Sequence, residues 1–154
     1  MRRTLVAAAL TAFMAGSTNA QLSGERAASN LDTGCAPMSL FVYLWAEAEG
    51  NSQLRNGLWN AAEWRLRAAG IYDSEARWQI LYVQVGTAAE ADVIQLRLHR
   101  GLRDTGSGSA GEAIVWSAQG LGVRGDEQDF LQAVSGKLDQ FITEYLRANP
   151  ECGQ

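Results

Sequence analysis

The sequence predicts an α+β two-layer sandwich: a four-stranded mixed sheet, in the order β-α-β-β-β-α, with two helices on one face. Three observations carry this expectation. Two segments, 53–69 and 126–148, repeat apolar residues at helical spacing. Four others are short and either rich in β formers or alternating. A helix separates the first two strands, which implies a parallel crossover, whereas short connections join the last three, which implies an antiparallel meander.

The chain has 154 residues, 47% apolar and 19% charged, with 16 Gly and 2 Pro, which is one domain's worth of packed sequence. Its formal charge of −4 argues against a nucleic-acid partner, because a duplex-binding surface needs clustered Lys and Arg. Arg2 and Arg3 precede an apolar run from Leu5 to Ala15 and then small or polar residues to Ala20. This is the pattern of a secretory signal over residues 1–20, too short to span a bilayer, with a mature chain starting at Gln21. Its removal leaves 17 acidic and 11 basic side chains and a charge of −6. Export places the protein in the periplasm, or outside the cell, with no stable membrane insertion after cleavage.

Residues 21–36 read as a flexible leader, and residues 37–152 as the single α+β domain. The run Leu40–Ala46 is continuously apolar and suits a strand covered on both faces, placed centrally in the sheet. In the first helix Leu54, Leu58, Ala62, Leu66 and Ala69 form the apolar stripe, with Asn51-Ser52 as the start and Gly70 as the stop. Trp59 and Trp64 cannot both join that stripe. Gln79–Val85 is the second strand and Asp92–Leu102 the third, where Ile94, Leu96 and Leu98 oppose Gln95, Arg97 and His99. Thr105–Gly111 is a Gly/Ser loop, Glu112–Gln119 the fourth strand, and Gly120–Gly125 a turn. The last helix places Phe130, Leu131, Val134, Leu138, Phe141, Ile142 and Tyr145 on one stripe, capped by Asp126 and ended by Asn149-Pro150.

In an oxidising compartment Cys35 and Cys152 are expected to form a disulfide closing nearly the whole domain. Chain entropy makes such a bridge worth roughly 4–5 kcal/mol.

The segments Glu63–Ala69, Leu81-Tyr82-Val83, Val115-Trp116, Gly120–Gly125 and Asp139–Leu146, with Asn149 and Cys152, resemble small exported proteins of Gram-negative bacteria to which no function is assigned. The resemblance spans about residues 38–152. It implies export and the β-α-β-β-β-α domain, and it brings no activity with it.

Catalytic, cofactor-binding and metal-binding residues are all expected to be absent. Gly120–Gly125 matches G-x-G-x-x-G between a strand and a helix, but Asp126, Glu127 and Asp129 put negative charge where phosphate would sit, and no second parallel strand follows. The same acids lack the ligand alternation of a calcium loop. His99, Asp104 and Ser107 or Ser109 lie on one strand end and a flexible loop, without a nucleophile elbow. Glu47 and Glu49 read as solvent-facing. What remains is a surface of Tyr82, Gln84, Gln95, Arg97, His99 and Trp116 on the sheet face away from the helices, aromatic and arginine side chains among amides. The sequence therefore points to a non-catalytic exported protein acting through a protein partner or as a homodimer. Small-molecule or glycan binding on the same face is the alternative.

Overall fold

The computed structural model describes residues 30–152 apart from 47, 89–90, 104 and 124–125. The predicted signal segment, residues 21–29 of the leader, Glu47 and Asp104 lie outside the described residues. The chain forms strand β1 (Ser39–Ala46), helix α1 (Ser52–Ala68), strands β2 (Gln79–Ala88), β3 (Ala91–Arg103) and β4 (Ala110–Val123), and helix α2 (Glu127–Ala148). This is the α+β arrangement the sequence predicts. The sheet order is β1-β2-β3-β4, with β1 parallel to β2 and the other pairs antiparallel.

Both helices cover one face. Leu54, Leu58, Ala62 and Leu66 of α1 and Phe130, Val134, Leu138, Phe141 and Tyr145 of α2 pack on Leu40, Val42, Leu44, Leu81, Val83, Val85, Ile94, Leu96 and Leu98. These strand residues alternate along each strand, so one sheet face enters the core and the other stays open. Leu131 and Ile142 flank the α2 stripe and are half-buried. The helix ends follow local chemistry. The Asn51 side chain accepts from Leu54 N–H, Gly70 takes the left-handed conformation (φ 71°) that stops α1, and Asp126 and Asp129 form a capping box on α2.

Several sequence expectations are corrected. β1 is an edge strand, not a central one, and only its Leu40, Val42 and Leu44 side is buried; Phe41 and Tyr43 are about half exposed on the open face. A continuous apolar run here reflects aromatic residues on an uncovered surface. Gly120–Val123 is not a turn. It extends β4, pairing with Ala91–Ile94, and Gly120 lies beneath the Lys137 side chain, so the glycine suits close helix–sheet approach.

The end of the leader is ordered before Cys35. Leu31 is fully buried, and the segment is tied to the C-terminal end of α2. Asn149 is the tie. Its Oδ1 accepts from Thr33 N–H at 2.8 Å and Cys35 N–H at 3.3 Å, and its Nδ2 donates to the Leu31 carbonyl at 2.7 Å and the Tyr145 carbonyl at 2.9 Å. The Tyr145 hydroxyl donates to the Ala36 carbonyl and bonds Thr33 Oγ1. Beside this network the Cys35–Cys152 disulfide is formed, with Cα atoms 5.5 Å apart.

Candidate functional site

The open sheet face is built by the odd-numbered residues of β1 and β3 and the even-numbered residues of β2. The strand register sets Phe41 beside Tyr82, Tyr82 beside Arg97, and Gln84 beside Gln95. A row of rings crosses the strands: Phe41 and Tyr82 lie 5.4 Å apart between centroids, and Tyr82 and His99 4.4 Å. Such tilted pairs add specific contact energy to simple burial. His99 Nδ1 lies 3.2 Å from Glu112 Oε1, and Arg97 Nη2 donates to Gln95 Oε1 at 2.8 Å. The row thus ends in a polar group held in place. Burial, and secondarily the charge of Glu112, pushes the Tyr82 phenol above the ordinary tyrosine range, so it stays a neutral hydrogen-bonding group.

Five of the six expected surface residues, Tyr82, Gln84, Gln95, Arg97 and His99, share this face. Trp116 does not. It pairs with Leu98 across β3 and β4, is 5% exposed, stacks on Phe141 at 4.8 Å and donates its indole N–H to Glu144 at 2.7 Å. The cause is a bulge opposite Leu98/His99. On its far side His99 pairs with Ile114, so Val115 is the extra residue and the alternation of β4 reverses. Ile114 takes the open position and is 52% exposed. Sequence reasoning missed Ile114, Leu121, Phe41 and Tyr43 as members of this face. For Phe41 and Tyr43 the signal was available in their alternation with Leu40, Val42 and Leu44.

Two tryptophans border the sheet by covering glycines. Trp45 stands where a Gly86 side chain would be, and Trp78 where a Gly101 side chain would be. On α1, Trp59 is half-buried and donates to Glu63 at 2.9 Å, while Trp64 is 68% exposed. Arg67 bonds Glu63 and lies over the Tyr72 ring at 4.7 Å, and its hydrogen bonds hold the Glu63 carboxyl below the usual range.

Among the described residues no cluster of three or more His, Cys, Asp or Glu side chains could hold a metal ion, and no helix is long and apolar enough to cross a membrane. Ser107 and Ser109 bond each other in an exposed turn, and His99 Nδ1 faces Glu112. At the start of α2 the side chain of Asp126 already accepts from the N–H groups of Gln128 and Asp129, the groups that a phosphate would need.

No family model and no curated protein matches the chain. Among solved structures, a PelC variant dodecamer from Paraburkholderia phytofirmans is similar at 21% identity and a TM-score of 0.37, covering 75% of this chain and 87% of that one. A second PelC dodecamer from the same organism aligns at 20% identity and a TM-score of 0.34, over 75% and 87% of the two chains. A candidate lipoprotein from Caulobacter crescentus CB15 aligns at 14% identity and a TM-score of 0.28, covering 75% of this chain and 91% of that one.

Proposed function

We propose that this is an exported, non-catalytic protein that works by contact, and that the contact is made sheet to sheet with a second copy of the chain. The open face carries the reading. Four strands at ~4.8 Å spacing are about 19 Å wide, and β3, with 13 residues, is about 43 Å long. The shorter β1 and β2, of 8 and 10 residues, reduce the face to roughly 600–800 Å², near the ~800 Å² per partner of a standard interface. Its exposed apolar side chains, Phe41, Tyr43, Ile114 and Leu121, lie on this one side of the molecule. They stand on the two edge strands, Phe41 and Tyr43 on β1 and Ile114 and Leu121 on β4, with Tyr82, Gln84, Gln95 and Arg97 between them, the mixture of apolar, aromatic and Arg side chains found at contact surfaces. The face also carries both Arg97 and Glu112. A two-fold copy therefore brings opposite charges toward each other instead of one repelling sign. Two such sheets pack about 10 Å apart with their side chains interleaved.

Export is supported by the charged and apolar start of the sequence, and by the disulfide, which persists in oxidising compartments.

Sedimentation velocity on the disulfide-bonded mature chain is the test. A dimer is expected, converted to monomer by Tyr43→Glu or Ile114→Glu, both at exposed positions where folding tolerates a charge. Trp64→Glu, on the helical side, is expected to leave the dimer intact. A wild-type chain that stays monomeric at high micromolar concentration, or a dimer broken only by Trp64→Glu, refutes the reading.

A further inference from the structure

On the other side of the sheet, between the flank of α2 and the end of β4, lies a groove of about 320 Å³. Its size is at the lower end of the ~300–1,000 Å³ typical of small-molecule sites. Ile94 and Gly120 of the sheet face Ala133, Gly136 and Lys137 of α2 across it, with Leu121 at the strand edge and Gln132 and Gln140 completing the lining. Two features keep it open. Gly120 adds no side chain to the sheet wall, and a Cβ placed on Gly136 would meet nothing within 4 Å.

The groove has one charge. Lys137 is the chain's single lysine, and its Cε lies 3.4 Å from where a Gly120 Cβ would stand, so the aliphatic stem runs along the apolar wall. Among the described residues its ammonium has no ion pair, although the chain carries 17 acidic side chains, and none of the groove-lining residues is acidic. The positions one turn away on α2, Ala133, Val134, Gln140 and Phe141, are uncharged as well. An unpaired cation on an apolar cleft complements an anionic head joined to a short apolar tail.

We propose that this groove binds a medium-chain aliphatic carboxylate, with the tail along Ile94, Gly120 and Gly136 and the carboxylate on Lys137. A lone ammonium acts as a point charge and accepts a single carboxylate without demanding a fixed fork geometry. The amide of Gln132 supplies a further donor, whereas the Gln140 amide already donates to Glu144 Oε1 at 2.9 Å. The groove lies on the helical side of the sheet and shares only Leu121, at the strand edge, with the face proposed for the dimer.

Octanoate, octanol and octylammonium are the probes, titrated into isotope-labelled disulfide-bonded protein and followed by amide chemical shifts. Octanoate is expected to move the resonances of Gly120, Gly136 and Lys137 at least five times more strongly, at equal concentration, than octanol, and octylammonium to leave them unmoved. Because no other lysine competes, octanoate should also slow acetylation of Lys137 severalfold. Lys137→Met keeps the apolar stem and is expected to abolish the preference for octanoate over octanol. Gly136→Leu fills the groove while favouring the helix, and should abolish binding of both in a folded protein. Equal response to octanoate and octanol, an unchanged preference in Lys137→Met, or shifts that avoid the groove would each overturn the proposal.

Discussion

Replacing Asn149 by Ala tests how the two ends of the domain are held together. The side chain is 3% exposed and makes short bonds to Thr33 N–H, the Leu31 carbonyl and the Tyr145 carbonyl, with longer ones to Thr33 Oγ1 and Cys35 N–H. Not all of these count equally. The Tyr145 carbonyl already accepts the Asn149 backbone N–H at 3.0 Å, so it keeps a partner after the substitution. The Leu31 carbonyl and Thr33 N–H each lose the side-chain partner that ties this segment to α2. A lost hydrogen bond costs about 0.5–1.5 kcal/mol net, and a buried group left unpaired about 1–3 kcal/mol. With both groups partly reachable by water once the side chain is gone, the total is about 2–3 kcal/mol. At a urea slope of ~1.5 kcal/mol/M, the unfolding midpoint should fall by roughly 1.3–2 M with the slope unchanged. Asn149→Asp keeps an acceptor for Thr33 but turns a carboxylate oxygen toward the Leu31 carbonyl, so it should be no more stable than the alanine variant. A midpoint within ~0.5 M of wild type for Asn149→Ala would show that the network does not hold the segment.

Two further stability predictions concern the same end of the molecule. Removing the disulfide as Cys35→Ala with Cys152→Ala releases a loop with a sequence separation of 117, and chain entropy sets the loss at about 4–5 kcal/mol, measured by urea unfolding beside the oxidised wild type; a loss below ~1 kcal/mol would contradict that account. Tyr145 is fully buried, and desolvation pushes its phenol above the ordinary tyrosine value while the hydrogen bond with Thr33 opposes the shift. Its folded pKa thus exceeds the unfolded value of ~10, so its contribution is complete below about pH 10 and is lost as pH rises through the folded pKa. Urea midpoints compared at about pH 8 and pH 11 should show a smaller alkaline loss in Tyr145→Phe than in wild type, the remainder coming from other tyrosines shifted the same way, Tyr72 and Tyr82.

Where one physical rule governed a segment, the sequence was enough to read it. Helix α2 has a stripe over six turns, an Asp126 cap and an Asn149-Pro150 stop, and each lies where the sequence places it. The β3 alternation also survives intact, because one wet and one dry face leave a single register that buries Ile94, Leu96 and Leu98. The position of β1 was not legible, since an apolar run can mean either two covered faces or aromatic residues on an open one. Only strand order decides between them. Asn149 looked like a helix stop, and nothing in the local sequence reveals that its amide also reaches Leu31 and Thr33, more than 110 residues away.

The composition of the open face was half legible for a reason that bears on how such faces diversify. Tyr82, Gln84, Gln95, Arg97 and His99 follow from alternation in β2 and β3, where no extra residue interrupts the pairing. In β4 a single added residue at Val115 exchanges the two faces, sending Trp116 inward to Phe141 and Glu144 and turning Ile114 outward. A Gly/Ser loop before the strand does not fix register, so no local signal marks the switch. The switch still has an energetic basis: the large ring gains burial against α2, and its N–H gains a carboxylate partner. A deletion of Val115 would restore regular alternation, and would then have to place either Trp116 or the upstream part of β4 on the wrong side of the sheet. The bulge therefore sets both the core anchor at Trp116 and the apolar surface at Ile114.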